Sequence, residues 1–310
     1  MLDNAVHSIK LQLYSDWSPV TAEVEAFAAL AAPPTLDNGL INGTNTYNNS
    51  DTIVSSHFET TFKSDTRYRI RLMNTTADTH FKFSIDSHTI KVIAADFVPI
   101  VPYISDTIAI SMGQRYDIIV TANAAVDNYW MRAVAQTVCS ENVNADDIYG
   151  IIRYNSTSTD DLTSVRWANA LTDELCEDEL RGSLVPYVPI VASNSPAEED
   201  EFSVITNKTN GVIWQMGTYS FLNQWDYPTL LQSYEGDDTW AAEQAVYQLP
   251  EAWIMHCHIA WHTSEGLAVQ ILERESELVD LLDGDLLNAK CAAWDSYALA
   301  DNVIQPDSGT

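Results

Sequence analysis

The first half of the chain is a series of short segments in which apolar and polar residues alternate. Many are rich in β-branched and aromatic residues, and Asn, Asp, Gly or Pro separates them. Alternation with a period of two buries one face of a strand, and no helical pattern intervenes between these segments. The predicted strands are residues 67–74, 80–86, 88–96, 107–113, 115–123, 128–134 and 149–155. This pattern predicts an all-β sandwich or barrel.

The second half is less regular. Polar, acidic stretches surround a Pro-containing segment and predict a surface linker over residues 161–203. Strand patterning returns at residues 202–208, 211–217, 251–258 and 266–273. These strands are too few to close a second sandwich. One helix is predicted early in the chain, over residues 22–33.

Charge limits the partners of this protein. The net charge is −29, from 15 basic and 44 acidic residues, so nucleic acids and anionic membranes would be repelled. The chain starts without a basic and then apolar segment, so no signal peptide is predicted. Five N-x-[ST] sequences nevertheless favour a secreted glycoprotein. They begin at Asn42, Asn48, Asn74, Asn155 and Asn207.

A dense histidine cluster lies near the C-terminus, in HCHIAWHTSEGL, residues 256–267. Successive side chains of a strand point to opposite faces, so His256 and His258 share one face and Cys257 points to the other. A thiolate with imidazoles and a weak or missing axial ligand is the donor set of a blue-copper site. His262 can reach the metal of Cys257 if the chain turns back, and Leu267 would take the axial position without coordinating. A chance cluster, or a zinc site that uses the His258–His262 spacing, is the alternative.

The same twelve residues resemble the last copper-binding motif of multicopper oxidases, most closely that of fungal laccases of the ascomycete type. The segments LINGTN, YRIRLMNTTADTHFKFSIDSHTIKVIAADFVPIVPY and GQRYDIIVTAN are similar to the second cupredoxin domain of that family. CAAW and the final DSGT are similar to the end of its chains. The resemblance implies cupredoxin-like Greek-key sandwiches: a second domain over residues 1–160, the linker, and part of a third domain over residues 204–310.

The resemblance also implies what these domains do. A laccase-type oxidase removes single electrons from phenols or aromatic amines and reduces dioxygen to water with bound copper. Cys257 and His262 would be ligands of the type 1 copper, with Leu267 as its non-coordinating axial neighbour. His256 and His258 would each bind one copper of the type 3 pair. A monomeric, extracellular protein is implied.

Four further residues have counterparts in the family. Asp96 resembles the pocket carboxylate that receives the phenol proton, although a solvated acid at a strand end is the alternative. Cys139 and Cys176 resemble a disulfide pair within the second domain. The counterpart of Cys291 bridges to the first domain, so Cys291 is expected to be a free thiol.

Beyond the HCH of the last motif, this sequence contains none of the family's three other copper motifs, which are H-x-H-G, H-x-H and H-P-x-H-L-H-G-H. Met1 falls where the second domain would begin, so the first domain is expected to be missing. The segment with the third motif is expected to be skipped between Pro250 and Glu251. The remaining histidines match family positions that bind no metal. They are His7, His57, His80 and His88.

We therefore expect a laccase by family whose chain, as written, has no oxidase activity. The alternative is a non-catalytic secreted β-sandwich protein with a vestigial copper site. The missing motifs disfavour a two-domain oxidase and a simple electron-transfer cupredoxin.

Overall fold

The computed structural model describes residues 8–22, 24–25, 34–160, 162–171, 176–190, 204–207, 213–216, 219–248, 252–272 and 275–301. The chain forms two compact units. Unit 1 comprises Met1–Ala22 and Pro34–Asn194, and unit 2 comprises Glu23–Pro33 and Ser195–Thr310. The predicted helix over residues 22–33 lies mostly outside the described residues.

Strands dominate unit 1, whereas the described part of unit 2 combines strands with helices. In unit 1 they are β1 (Ser8–Trp17), β2 (Asn38–Ile41), β3 (Tyr47–Asn49), β4 (Thr52–Val54), β5 (Phe58–Thr61), β6 (Arg67–Asn74), β7 (Phe81–Ile85), β8 (Ile90–Ala95), β9 (Val98–Ser105), β10 (Thr107–Ile110), β11 (Arg115–Thr121), β12 (Asn128–Ala135) and β13 (Tyr149–Arg153). In unit 2 they are β14 (Val204–Asn207), β15 (Ile213–Met216), β16 (Val246–Gln248), β17 (Ala252–His256) and β18 (Ala268–Leu272). The helices are α1 (Thr229–Glu235), α2 (Ala260–Ser264), α3 (Glu275–Leu278) and α4 (Gly284–Asp301). No helix in the described part of the chain is long and apolar enough to cross a membrane.

Unit 1 is a sandwich of two sheets, with strand orders β2-β1-β6-β11-β8-β9 and β10-β7-β12-β13-β5. Strand β6 shows how the alternation builds it. Tyr68, Ile70 and Leu72 point into a core shared with β7, whereas the arginines between them face outward. Each large apolar side chain buried in this way stabilises the fold by about 1.5–3 kcal/mol. The predicted all-β sandwich is confirmed.

All seven strands predicted in the first half are present, and β6 has the predicted limits. Strand β9 was missed because VPIVPYIS contains two prolines, which argue against a central strand. It lies at the edge of its sheet, where a missing amide donor is tolerated.

The first part of the predicted linker over residues 161–203 packs on unit 1. The Ser164 hydroxyl donates to Asp86 over 2.8 Å, and the Trp167 indole donates to the Ile85 carbonyl over 2.9 Å. Further along, the Tyr187 amide donates to the Pro99 carbonyl over 2.8 Å. Side chains and the backbone of this segment therefore supply hydrogen bonds to the sandwich.

The described sheets of unit 2 have fewer strands than the two large sheets of unit 1. Its three-stranded sheet has the order β16-β18-β17, with β16 parallel and β17 antiparallel to β18. Its buried cluster consists of Phe221, Ala245, Ala268 and Val269. The prediction of few strands agrees with this arrangement, whereas the helix α4 was not predicted.

Candidate metal centre

The centre is built on the end of β17. Strand β17 pairs with β18 so that His256 lies opposite Ala268, and the Cys257 amide donates to the Leu267 carbonyl over 3.0 Å. This pairing holds the backbone extended through the cysteine. The imidazole rings of His256 and His258 lie together, with centroids 5.2 Å apart, and both residues are exposed. The alternation predicted from the sequence places them there.

A short helix turns the chain back toward the cysteine. Helix α2 follows directly, and it brings Nδ1 of His262 to 3.5 Å from Sγ of Cys257. The Thr263 hydroxyl donates to the Cys257 carbonyl and fixes the start of this turn. Leu267 is buried beside it. The Cys257 thiol and the His262 imidazole therefore lie together, and the His256 and His258 imidazoles form a second, separate pair.

One aromatic residue that packs beside Cys257 and His262 is not predicted from the sequence. Trp214, on β15, packs against the His262 imidazole with ring centroids 4.1 Å apart. Burial lowers the pKa of His262, which favours the neutral ring, the form that binds metal. No short-range spacing signals this contact, because Trp214 lies far from the motif in the sequence.

The donor chemistry suits copper, but the donor set is incomplete. Cys257 and His262 provide one thiolate and one imidazole, whereas a blue-copper site needs a second imidazole. In the part of the chain that the structure describes, no three His, Cys, Asp or Glu side chains come together to hold a metal ion. These residues alone therefore do not complete a copper centre.

The other histidines of the described chain are tied into unit 1. His57 contacts the Asn45 amide oxygen over 3.0 Å, and His80 contacts the Ser111 hydroxyl over 2.8 Å. His88 is held between the Asp86 carbonyl and the Tyr154 hydroxyl, each over 2.7 Å. Burial lowers the pKa of all three rings. These contacts make them structural residues, and His7 lies outside the described residues.

Asp96 lies in unit 1, at the exposed turn between β8 and β9. Its φ of 42° is in the left-handed region. One carboxylate oxygen accepts the Arg115 amide over 2.8 Å. The carboxylate thus fastens the turn and remains open to solvent.

Two of the four cysteines form a disulfide. Cys139 and Cys176 are bonded with their Cα atoms 6.2 Å apart, while Cys257 and Cys291 are free thiols. This bond fastens part of the former linker segment to the sandwich.

One predicted glycosylation residue is wrong. The Asn74 side chain is buried, and its amide nitrogen donates to the carbonyls of Thr79 and Ile110. A glycan cannot reach that nitrogen in the folded protein. Asn48 and Asn155 are exposed and Asn42 is half-buried, while the Asn207 side chain lies outside the description.

Comparison with known proteins agrees with this fold. The multicopper oxidase family matches residues 11–157 in one sequence model and residues 201–277 in a second. Laccase-1 of Botryotinia fuckeliana is 37% identical over 95% of this chain and 65% of the relative. Laccase-2 of the same fungus is 33% identical over 99% of this chain and 66% of the relative. The chain thus spans just under two thirds of these relatives.

A solved structure extends the likeness to three dimensions. The crystal structure of the laccase from Botrytis aclada matches with a TM-score of 0.90 and 32% identity, over 98% of this chain and 71% of that one. The predicted cupredoxin-like fold and the predicted resemblance are both confirmed. The chain belongs to the multicopper oxidase family, whose cofactor is copper, and within it to the laccases of fungi.

Proposed function

We propose that this protein is a laccase-type oxidase, which oxidises phenols or aromatic amines with dioxygen as the electron acceptor. The observation that carries the proposal is the division of donors at the end of β17. Cys257 meets His262 at 3.5 Å, and His256 and His258 meet each other one residue to either side of the cysteine. Cys257 and the two histidines beside it in the sequence thus belong to two different sets of candidate copper donors.

Other residues of the chain have supporting roles. Trp214 covers one face of the His262 ring and limits the access of water to it. The exposed Asp96 carboxylate is a proton acceptor suited to a phenol. Leu267 offers no donor atom, which suits a copper with an open axial position.

We further propose that this chain alone has no oxidase activity. Each donor set contains two side chains, and the other family motifs are missing. One gap lies inside the chain. The alignment with Laccase-1 is 374 positions long, whereas the chain has 310 residues, so the relative carries a substantial insertion.

The short connection between two strands supports a position for that inserted segment. Only residues 249–251 separate β16 from β17, although these strands lie on opposite sides of β18. We place the insertion there, between Pro250 and Glu251. The second candidate function, a non-catalytic protein with a vestigial copper site, is favoured by the same two-donor sets.

The test restores what the chain lacks. Residues that Laccase-1 carries and this chain does not, including those between the counterparts of Pro250 and Glu251, are grafted in, and the protein is loaded with copper. We expect phenol-dependent oxygen uptake that Cys257→Ser abolishes and the matched control Cys291→Ser retains. A copper-loaded graft without oxygen uptake would contradict the oxidase proposal and favour the vestigial site.

We also propose that the protein is secreted as a monomer. The Cys139–Cys176 disulfide suits an oxidising compartment, and exposed Asn48 and Asn155 suit glycan attachment. Protein from the culture medium of the source cells should lose mass on treatment with an N-glycosidase. Protein found only inside the cells, without glycans, would contradict this proposal.

A further inference from the structure

The outer face of the six-stranded sheet in unit 1 contains a basic cavity that the copper chemistry does not use. The cavity measures about 390 Å³. Three guanidinium groups line it, those of Arg69, Arg71 and Arg115, together with the carboxylate of Asp117. Three cations beside one anion stand out in a chain with a net charge of −29.

Strand pairing creates this cluster. Arg69 and Arg71 are outward residues of β6, and Asp117 lies opposite Arg71 on β11. Nε of Arg69 donates to Asp117 over 3.0 Å, whereas Nε of Arg71 lies 3.7 Å from the other carboxylate oxygen. The Asp117 carboxylate therefore pairs closely with Arg69 and only loosely with Arg71. The Arg71 side chain is 49% exposed, and within the described chain its terminal nitrogens have no hydrogen-bond partner.

The remaining walls are apolar. Met73, Ile93 and Pro99 contribute to them, and Phe97 extends from the β8–β9 turn. The Arg115 guanidinium lies over the Phe97 ring, 5.4 Å from its centroid, although that ring is 82% exposed. The acidic residue of this turn is Asp96, whose carboxylate accepts a hydrogen bond from the Arg115 backbone amide. An exposed aromatic face beside three guanidinium groups that share one carboxylate suits a flat ring that carries an anion.

We propose that this cavity binds a small aromatic carboxylate. The carboxylate would pair with the planar fork of Arg71, and the ring would lie against Phe97 and the aliphatic wall. A guanidinium group binds a carboxylate through two parallel hydrogen bonds, which a neutral amide cannot match. The site lies wholly in unit 1 and uses no proposed copper ligand, so it does not depend on oxidase activity.

The test titrates the full chain with 2-naphthoate and with the neutral 2-naphthamide at 0.15 M salt. At that ionic strength the screening length is about 8 Å, so the distant acidic surface contributes little. We expect naphthoate to bind about tenfold more tightly than the amide. Arg71→Gln should remove that preference. Arg153→Gln should retain it, because Arg153 pairs with Glu59 on the other sheet.

Location is measured by amide chemical shifts, which should change at residues 69–73, 93–99 and 115–117. Phe97→Ser, at an exposed turn, serves as a second variant and should weaken both ligands severalfold. Equal binding of the two ligands, no binding of naphthoate, shifts confined to unit 2, or an equal effect of Arg153→Gln would overturn the proposal.

Discussion

Units 1 and 2 differ in the size of the buried core that their described residues form. Unit 1 closes two sheets over a core in which Phe81, Phe83 and Ile85 are fully buried. Unit 2 holds the candidate metal centre, yet its β17 leaves Trp253 62% and Ile254 48% exposed. Unit 1 has the larger core and no proposed copper ligand, whereas the described residues of unit 2, which carry the copper motif, form a small core.

Hydrogen exchange gives the largest expected contrast between the units. Amides of β6 and β7 exchange only when the sandwich opens, whereas β17 belongs to a small sheet with an exposed face. We expect β6 amides to be protected at least about a thousandfold more than β17 amides, a difference of about 4 kcal/mol. Equal protection in the two units would break the comparison.

The buried ion pair of unit 1 is the next most sensitive feature. Arg132 donates to both oxygens of the fully buried Asp86 carboxylate, over 2.8 and 2.7 Å. Asp86→Asn leaves the guanidinium without its counter-ion and should lower the free energy of unfolding of unit 1 by about 3–5 kcal/mol. Urea denaturation measures this loss.

The matched control for that substitution is Glu59→Gln. Glu59 pairs with Arg153, but its side chain is half exposed, so the expected cost is below about 1 kcal/mol. Equal losses for the two variants would show that burial does not set the strength of the pair.

A smaller effect is expected from pH. Burial, and secondly the negative charge of Asp16, raise the pKa of Asp78 from 3.8 to about 7. The folded state therefore binds a proton that the unfolded state releases, and stability falls as pH rises from about 4 to about 7. Asp78→Asn should remove this fall. Relative to the native protein, the variant should gain about 2–4 kcal/mol between pH 4 and pH 8.

The difference between native and variant protein isolates Asp78 from the histidines. Burial lowers the pKa of His57, His80 and His88, so their contribution is lost as pH falls below about 6.5, which is the opposite trend. Urea denaturation at several pH values measures both curves. A constant gap between them would mean that Asp78 does not titrate in this range.

The sequence predicted local features well and long-range packing poorly. The alternation of β6 and the opposite faces around Cys257 follow from a period of two, and both are present. The contact of Trp214 with His262, the basic cavity and the packing of residues 164–171 and 176–187 on unit 1 depend on distant partners. The burial of Asn74 shows the same limit, because its glycosylation sequence carries no information about the carbonyls that bind its amide.

The most direct test of the central claim is the copper content of this chain after reconstitution and dialysis, read together with its blue absorption. The claim is that Cys257 and His262 remain from a copper centre whose donor set this chain does not complete. We predict less than one firmly bound copper per chain and no blue thiolate-to-copper band. A full complement of copper with a strong blue band would contradict it.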